Sequence, residues 1–269
     1  MTLHYTRSGQ PDAAAIVFLH GSAMGQWMWY DQIQHFADYD CYNVDLPGHG
    51  GSNAVPWGSF EQAADAVAQL IAEVIPDKPV YLVGMSLGAM VGMHLLIQHP
   101  QKIERAVLTG AIAEAPPRWI SFLQTQLLSA ILPTKMGKAL FARMLQLPAD
   151  ALPHYYESIN ALTMTTFRRV SNHVANFSLP DGVTGITIPV LFVTGEKDIS
   201  VNHTSIPQLA QLVPGSVGVY APGLHHGWNG EDPDLFNEMT RAWIEGQSLP
   251  SRMIPALPVE PEPVLVTEP

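Results

Sequence analysis

Cysteine is almost absent from this chain of 269 residues: Cys41 stands alone. No internal disulfide can form, so a disulfide-framed secreted fold is excluded. Basic residues are also scarce. There are 13 Lys and Arg against 24 Asp and Glu, a formal net charge of −11. Binding nucleic acid requires a basic surface, so nucleic acid is not the expected partner. The opening residues, Met1 to Gly9, lack a basic stretch followed by an apolar run, so no secretory signal is expected and the default location is cytoplasmic. No internal repeat is visible. No group of His, Cys and acidic residues has metal-ligand spacing, so neither a metal nor another cofactor is expected. The chain is 47% apolar and 14% charged. The low hydrophobicity and high charge of disorder are therefore missing over most of its length. A chain this long buries a sizeable core, as one large domain or two small ones.

Val80–Ile97 is the run that most resembles a membrane span. Its 18 residues contain no Asp, Glu, Lys or Arg, the lower limit for crossing a bilayer. They do contain Ser86, His94, Gly84, Gly88 and Gly92. With glycines flanking a serine in a turn pattern, the run reads as a buried strand, a tight turn and a buried helix. No membrane insertion is expected.

The rest of the pattern agrees. Ala13–Leu19 is a short apolar run, the mark of a buried parallel strand. Met24–Tyr39 reads as a helix and Cys41–Leu46 as a strand stopped by Pro47 and Gly48. Ser59 is placed to cap a helix running to about Ile75. Val80–Gly84, Ile103–Leu108, Val190–Thr194 and Ser216–Tyr220 read as strands. Leu87–His99, Ile206–Val213 and Pro233–Ile244 read as helices. Strands alternating with helices predict a mostly parallel α/β sheet with helices on both faces. The alternation breaks at 111–185, which reads as a helical insertion. It carries six basic and four acidic residues, whereas the remainder carries seven and 20. That difference reads as ordinary surface composition. Residues 250–269 hold six of the 23 prolines, so the segment from 247 onward is expected to be extended or disordered.

The chemistry centres on Gly84-Met85-Ser86-Leu87-Gly88, a G-x-S-x-G segment between a predicted strand and a predicted helix. Such a turn exposes the serine above the sheet, and the helix beneath offers free N–H groups. A serine hydroxyl needs a base. In this arrangement an acid and then a histidine follow the serine along the chain. Asp198 lies just beyond the strand 190–194, where sheet enzymes gather site residues; Glu196 is the fallback acid. His226 is the expected base and its neighbour His225 the alternative. The N–H of Leu87 is one expected oxyanion donor. Ser22, in the loop His20–Ala23, is the other. The Ser22 hydroxyl either adds a contact or caps the next helix.

Taken together these segments resemble the α/β-hydrolase superfamily over about residues 12–110 and 186–246. His20-Gly21 looks like its oxyanion-loop signature. Asp45–Ser52 is similar to its D-x-P-G-x-G-x-S segment, and Gly84–Gly88 to its elbow. Pro222–Phe236 looks like its PGxGHxxxxExPxxF ending, which puts the family's histidine on His226; His225 replaces the usual glycine. The resemblance implies an α/β-hydrolase fold with a core of 1–110 and 186–246, a helical cap of 111–185 and a tail of 247–269. If the cap forms the mouth of the site, the acidity of the whole chain says little about the substrate.

Departures from the family narrow the chemistry. Ser86 stands where dehalogenase and epoxide-hydrolase relatives carry Asp. Gly227, not Trp, follows His226. Leu87–Met90 lacks the Arg that menaquinone-pathway lyase relatives carry after the elbow, and Met85 stands where aminopeptidase relatives favour Trp. A carboxylic ester or thioester hydrolase remains, with Ser86, Asp198 and His226 as its triad and a small-molecule ester as partner. Apolar walls are expected from Trp27, Met85, Leu87, Trp228 and cap residues such as Phe122, Leu127, Met144 and Phe167. The alternatives are a carbon–carbon bond hydrolase or lyase of the same fold, a ligand receptor that retains the triad, and a binding module acting through the Pro-rich tail.

Overall fold

The computed structural model describes residues 2–75, 77–115 and 117–257. In chain order the elements are β1 (Tyr5–Gly9), β2 (Ala15–Leu19), α1 (Tyr30–His35), β3 (Asp40–Val44), α2 (Phe60–Val74), β4 (Val80–Met85), α3 (Leu87–Gln98) and β5 (Arg105–Thr109). Four helices follow: α4 (Arg118–Ile131), α5 (Lys135–Met144), α6 (Leu152–Ala161) and α7 (Met164–Ala175). The chain then resumes with β6 (Val190–Gly195), α8 (Ser200–Leu212), β7 (Val217–Ala221), α9 (Trp228–Glu231), α10 (Pro233–Ile244) and β8 (Ile254–Pro255). The described strands form one sheet in the order β1-β3-β2-β4-β5-β6-β7-β8. β2 to β7 run parallel, whereas the edge strands β1 and β8 are antiparallel to their neighbours.

Strand β2 shows why the sheet is covered on both faces. All five of its residues are buried, and the period of two divides them between two cores. Ala15, Val17 and Leu19 pack with α2, α3 and α8. Ile16 and Phe18 pack against Trp29, Phe236, Met239 and Trp243 on the α10 side. Ser59 caps α2 as its position predicts, accepting a hydrogen bond from the Gln62 N–H. Helices α4–α7 lie between β5 and β6, where the strand and helix alternation breaks. Tyr155, Ile159 and Phe167 form a small core there with Ala23 and Met24 from the loop after β2.

Three differences from the sequence expectation have local causes. The helix expected over 24–39 is a tight turn, Gln26–Trp29, followed by the short α1. The turn lets Trp27 reach outward, where its Nε1–H donates to Ser158 Oγ at 2.9 Å. Helix α8 begins six residues earlier than expected, because Pro207 sits inside it without ending it. From residue 247 the described chain reaches Leu257. Met253 is buried, and the Ala256 N–H donates to the Gly218 carbonyl at 2.9 Å. The expectation for 258–269 lies outside the described residues. No described helix is long and apolar enough to cross a membrane.

Candidate active site

The 80–97 run divides at Ser86, which has φ 51° and ψ −109°. A left-handed φ on a residue with a Cβ costs on the order of 1–3 kcal/mol. The surroundings hold it there. The Ser86 N–H donates to the Thr109 carbonyl of β5 at 2.8 Å. Space explains the flanking glycines: a Cβ on Gly88 would lie 2.2 Å from the Leu19 carbonyl oxygen, and one on Gly84 would lie 2.6 Å from the Gly88 oxygen. Strand, turn and helix approach this closely only without side chains there. Leu87 opens α3, so its N–H has no acceptor within the helix.

Asp198 and His226 come together 28 residues apart in sequence. His226 Nδ1 lies 2.7 Å from Asp198 Oδ2. The same oxygen takes Thr194 Oγ1–H and Asn202 Nδ2–H at 2.9 Å. Oδ1 accepts the Ile199 N–H at 2.7 Å. Burial works to raise the pKa of Asp198, but the bonds from His226, Thr194 and Asn202 outweigh it and hold the carboxyl below its ordinary value. Asn202 Nδ2 is also 2.9 Å from His226 Nδ1. An amide NH₂ and a carboxylate compete for Nδ1, and only the carboxylate can accept a proton from it. Nδ1–H therefore points at Asp198, and Nε2 is left free to accept. Ser86 and His226 line the same two cavities. The alternatives lie elsewhere: His225 Nδ1 is paired with Glu231 Oε2 at 2.9 Å, and Glu196 accepts the Gly223 N–H at 2.7 Å.

The loop His20–Ala23 lies against the serine, since a Cβ on Gly21 would meet the Ser86 Cβ at 3.7 Å. Two fully buried histidines fix this loop. His20 Nδ1 is 2.7 Å from the Gly21 carbonyl, and its Nε2 accepts the Leu46 N–H at 3.0 Å. His49 Nδ1 is 3.0 Å from the Pro47 carbonyl, and its Nε2 accepts the Ala23 N–H at 3.3 Å. Burial lowers the pKa of both, and that of His49 is pushed down to about 3. Asp45 secures the adjoining glycine turn by accepting the Gly51 N–H and the Gln26 side chain, each at 2.9 Å.

Two cavities meet at Ser22, Ser86 and His226. One, of about 360 Å³, runs beneath α4, α5 and α7 and is walled by Leu87, Met90, Ile112, Leu128, Phe141 and Phe167. The other, of about 410 Å³, passes Trp27 and Met85 to a rim that includes Tyr30, Asp31, Gln34 and His154. Neither is lined by Lys or Arg among the described residues. Of the expected wall residues, Trp27, Met85, Leu87, Met144 and Phe167 line one or the other.

Three do not, and the expectation is corrected. Trp228 is fully buried behind the site, where its Nε1–H donates to Thr109 Oγ1 at 2.9 Å. Phe122 and Leu127 are 58% and 62% exposed. Helix α4 turns Ser121, Gln124, Thr125 and Leu128 to the cavity instead. Asn202 and Thr194 were missed. Asn202 follows Asp198 by four residues, a helical spacing legible only once α8 is known to begin at Ser200.

Comparison with known proteins agrees with this architecture. The alpha/beta hydrolase family profile matches residues 16–239. The chain is 26% identical over 208 residues to a 2-succinyl-6-hydroxy-2,4-cyclohexadiene-1-carboxylate synthase from Enterobacter sp. (strain 638), covering 72% of this chain and 79% of that one. It is likewise 26% identical over 260 residues to a pimeloyl-[acyl-carrier protein] methyl ester esterase from Aeromonas hydrophila, covering 91% of this chain and all of that one. Among solved structures, the enol-lactonase from Burkholderia xenovorans LB400 superimposes with a TM-score of 0.76 at 22% identity, over 90% of this chain and 96% of that one. The chain belongs to the alpha/beta hydrolase family.

Proposed function

We propose that this alpha/beta hydrolase cleaves a carboxylic ester, or a thioester, with an apolar acyl group of small to medium size, through an acyl-enzyme on Ser86. One observation carries the reading: His226 Nδ1 lies 2.7 Å from the Asp198 carboxylate, and its ring shares two cavities with Ser86. In this reading Nε2 takes the Ser86 proton as Oγ attacks the acyl carbon. Asp198 holds the tautomer and stabilises the imidazolium. The Leu87 and Ser22 N–H groups receive the oxyanion, each worth on the order of 3 kcal/mol. The imidazolium returns its proton to the departing alcohol or thiol, and water then repeats the sequence on the acyl-enzyme.

The two cavities divide the substrate. The cavity beneath α4, α5 and α7 takes the acyl chain, because its walls are mostly apolar. The cavity with the polar rim takes the leaving group. Among the described residues neither wall contains Lys or Arg, which favours a neutral substrate. A second reading, a lyase, is favoured by the similarity to the carboxylate synthase. The same walls weigh against it, because their described residues offer no Lys or Arg to a carboxylate. The test is hydrolysis of p-nitrophenyl acetate, butyrate and octanoate by wild type and Ser86→Ala. Turnover should rise from acetate to butyrate and vanish in the variant. Equal turnover in both proteins would refute the assignment.

A further inference from the structure

Helix α4 is amphipathic in the reverse sense. Its inward positions at helical spacing are Ser121, Thr125 and Ser129, all buried. Its outward positions are Trp119, Phe122, Leu123 and Leu127, each 58% exposed or more. Helix α5 continues the pattern with Met136, Leu140 and Met144, spaced four apart and at least as exposed. These seven are more than half of the 13 large apolar residues exposed among the described residues, yet they fall within 119–144. Scattered apolar side chains on a surface are ordinary, but a concentration of this kind marks a contact surface.

Charge indicates what the surface meets. Residues 115–149 contain four basic residues and no Asp or Glu, in a chain whose net charge is −11. Lys135 and Arg143 are exposed on α5, and neither forms an ion pair among the described residues. Trp, Phe and Leu on one side of a helix, followed along the chain by exposed Lys and Arg with no acid between them, suit the boundary between anionic headgroups and acyl chains. A second copy of this chain would bring like charge against like charge. The acidic remainder, with nine basic and 24 acidic residues, is repelled by the same surface and would face away from it.

We propose that α4 and α5 dock the protein peripherally on an anionic lipid bilayer. Trp119, Phe122 and Leu127 enter the headgroup region, and Lys135 and Arg143 meet lipid phosphates. The docking requires no reaction at Ser86, so its test and that of the hydrolase reading succeed or fail separately.

The experiment is flotation of the full chain with vesicles of phosphatidylcholine alone and of phosphatidylcholine mixed with phosphatidylglycerol. Wild type should float with the mixed vesicles, less with the neutral ones, and less again in high salt. Phe122→Ser with Leu127→Ser, and separately Lys135→Glu with Arg143→Glu, should each weaken binding to mixed vesicles by about tenfold or more. Unchanged circular-dichroism melting would show that the variants fold. Absence of flotation with either vesicle would overturn the proposal, as would equal flotation of variants and wild type. So would a lipid-free dimer that Phe122→Ser dissociates, which would assign the surface to self-association.

Discussion

The histidine pair that fixes the loop His20–Ala23 should make the fold sensitive to mild acid. His20 and His49 are 0% and 2% exposed, with ring centroids 5.1 Å apart. Each ring has Nδ1 at a carbonyl oxygen and accepts a backbone N–H at Nε2. Only the neutral ring can do both, since protonation would set N–H against N–H. Burial, with a smaller contribution from His20, pushes the pKa of His49 down to about 3. An unfolded histidine titrates near 6.5. The folded value is thus depressed, so this share of stability is fully present above the unfolded value and is lost as pH falls below it toward 3. Between pH 7 and pH 5, His49 alone should cost about 2 kcal/mol of unfolding free energy. The assay is urea unfolding across that range for wild type and His49→Asn. The buried His94 and the partly buried His35 also have lowered values, but they are common to both proteins and cancel in the difference. The variant should be less stable at pH 7 and should lose about 2 kcal/mol less on acidification. Parallel curves would refute the reasoning.

Two further outcomes follow from the site. Gly88→Ala should destabilise the protein by several kcal/mol or prevent folding, because its Cβ would meet the Leu19 backbone oxygen at 2.2 Å; a melting curve within a few degrees of wild type would contradict this. Asn202→Ala should lower kcat by about tenfold, on the scale of one hydrogen bond to a charged group. Asn202→Asp should be worse, because it sets a second carboxylate within about 3 Å of Asp198; equal kcat in the two variants would count against a positioning role for this side chain.

The parts of the fold that were legible in the sequence are those where physics leaves little choice. The glycines of the elbow are forced by backbone contact, so G-x-S-x-G between an apolar run and a buried helix marks the turn. The burial of β2 on both faces demands an unbroken apolar segment, and Ala15–Leu19 supplies one. The edge strands were not legible. β1 is mostly exposed and polar, and β8 is two residues long and contains Pro255. The facing of α4 was also hidden. Its apolar stripe is plain from the spacing, but periodicity alone does not say which stripe turns inward. The small hydroxyl residues do so here, and Phe122 and Leu127 therefore stand outside the cavity they were expected to wall. Trp228 was misplaced for a related reason: a place two residues beyond His226 does not tell which way a side chain leaves the turn.

The central claim is that Ser86 becomes acylated during turnover. It is tested most directly by mass spectrometry of protein quenched in acid while hydrolysing p-nitrophenyl butyrate. A butyryl adduct is expected on the peptide containing Ser86, much less of it in His226→Ala, where Ser86 has lost its base, and none in Ser86→Ala. Hydrolysis that continues in Ser86→Ala, with no adduct on that peptide in wild type, would contradict it.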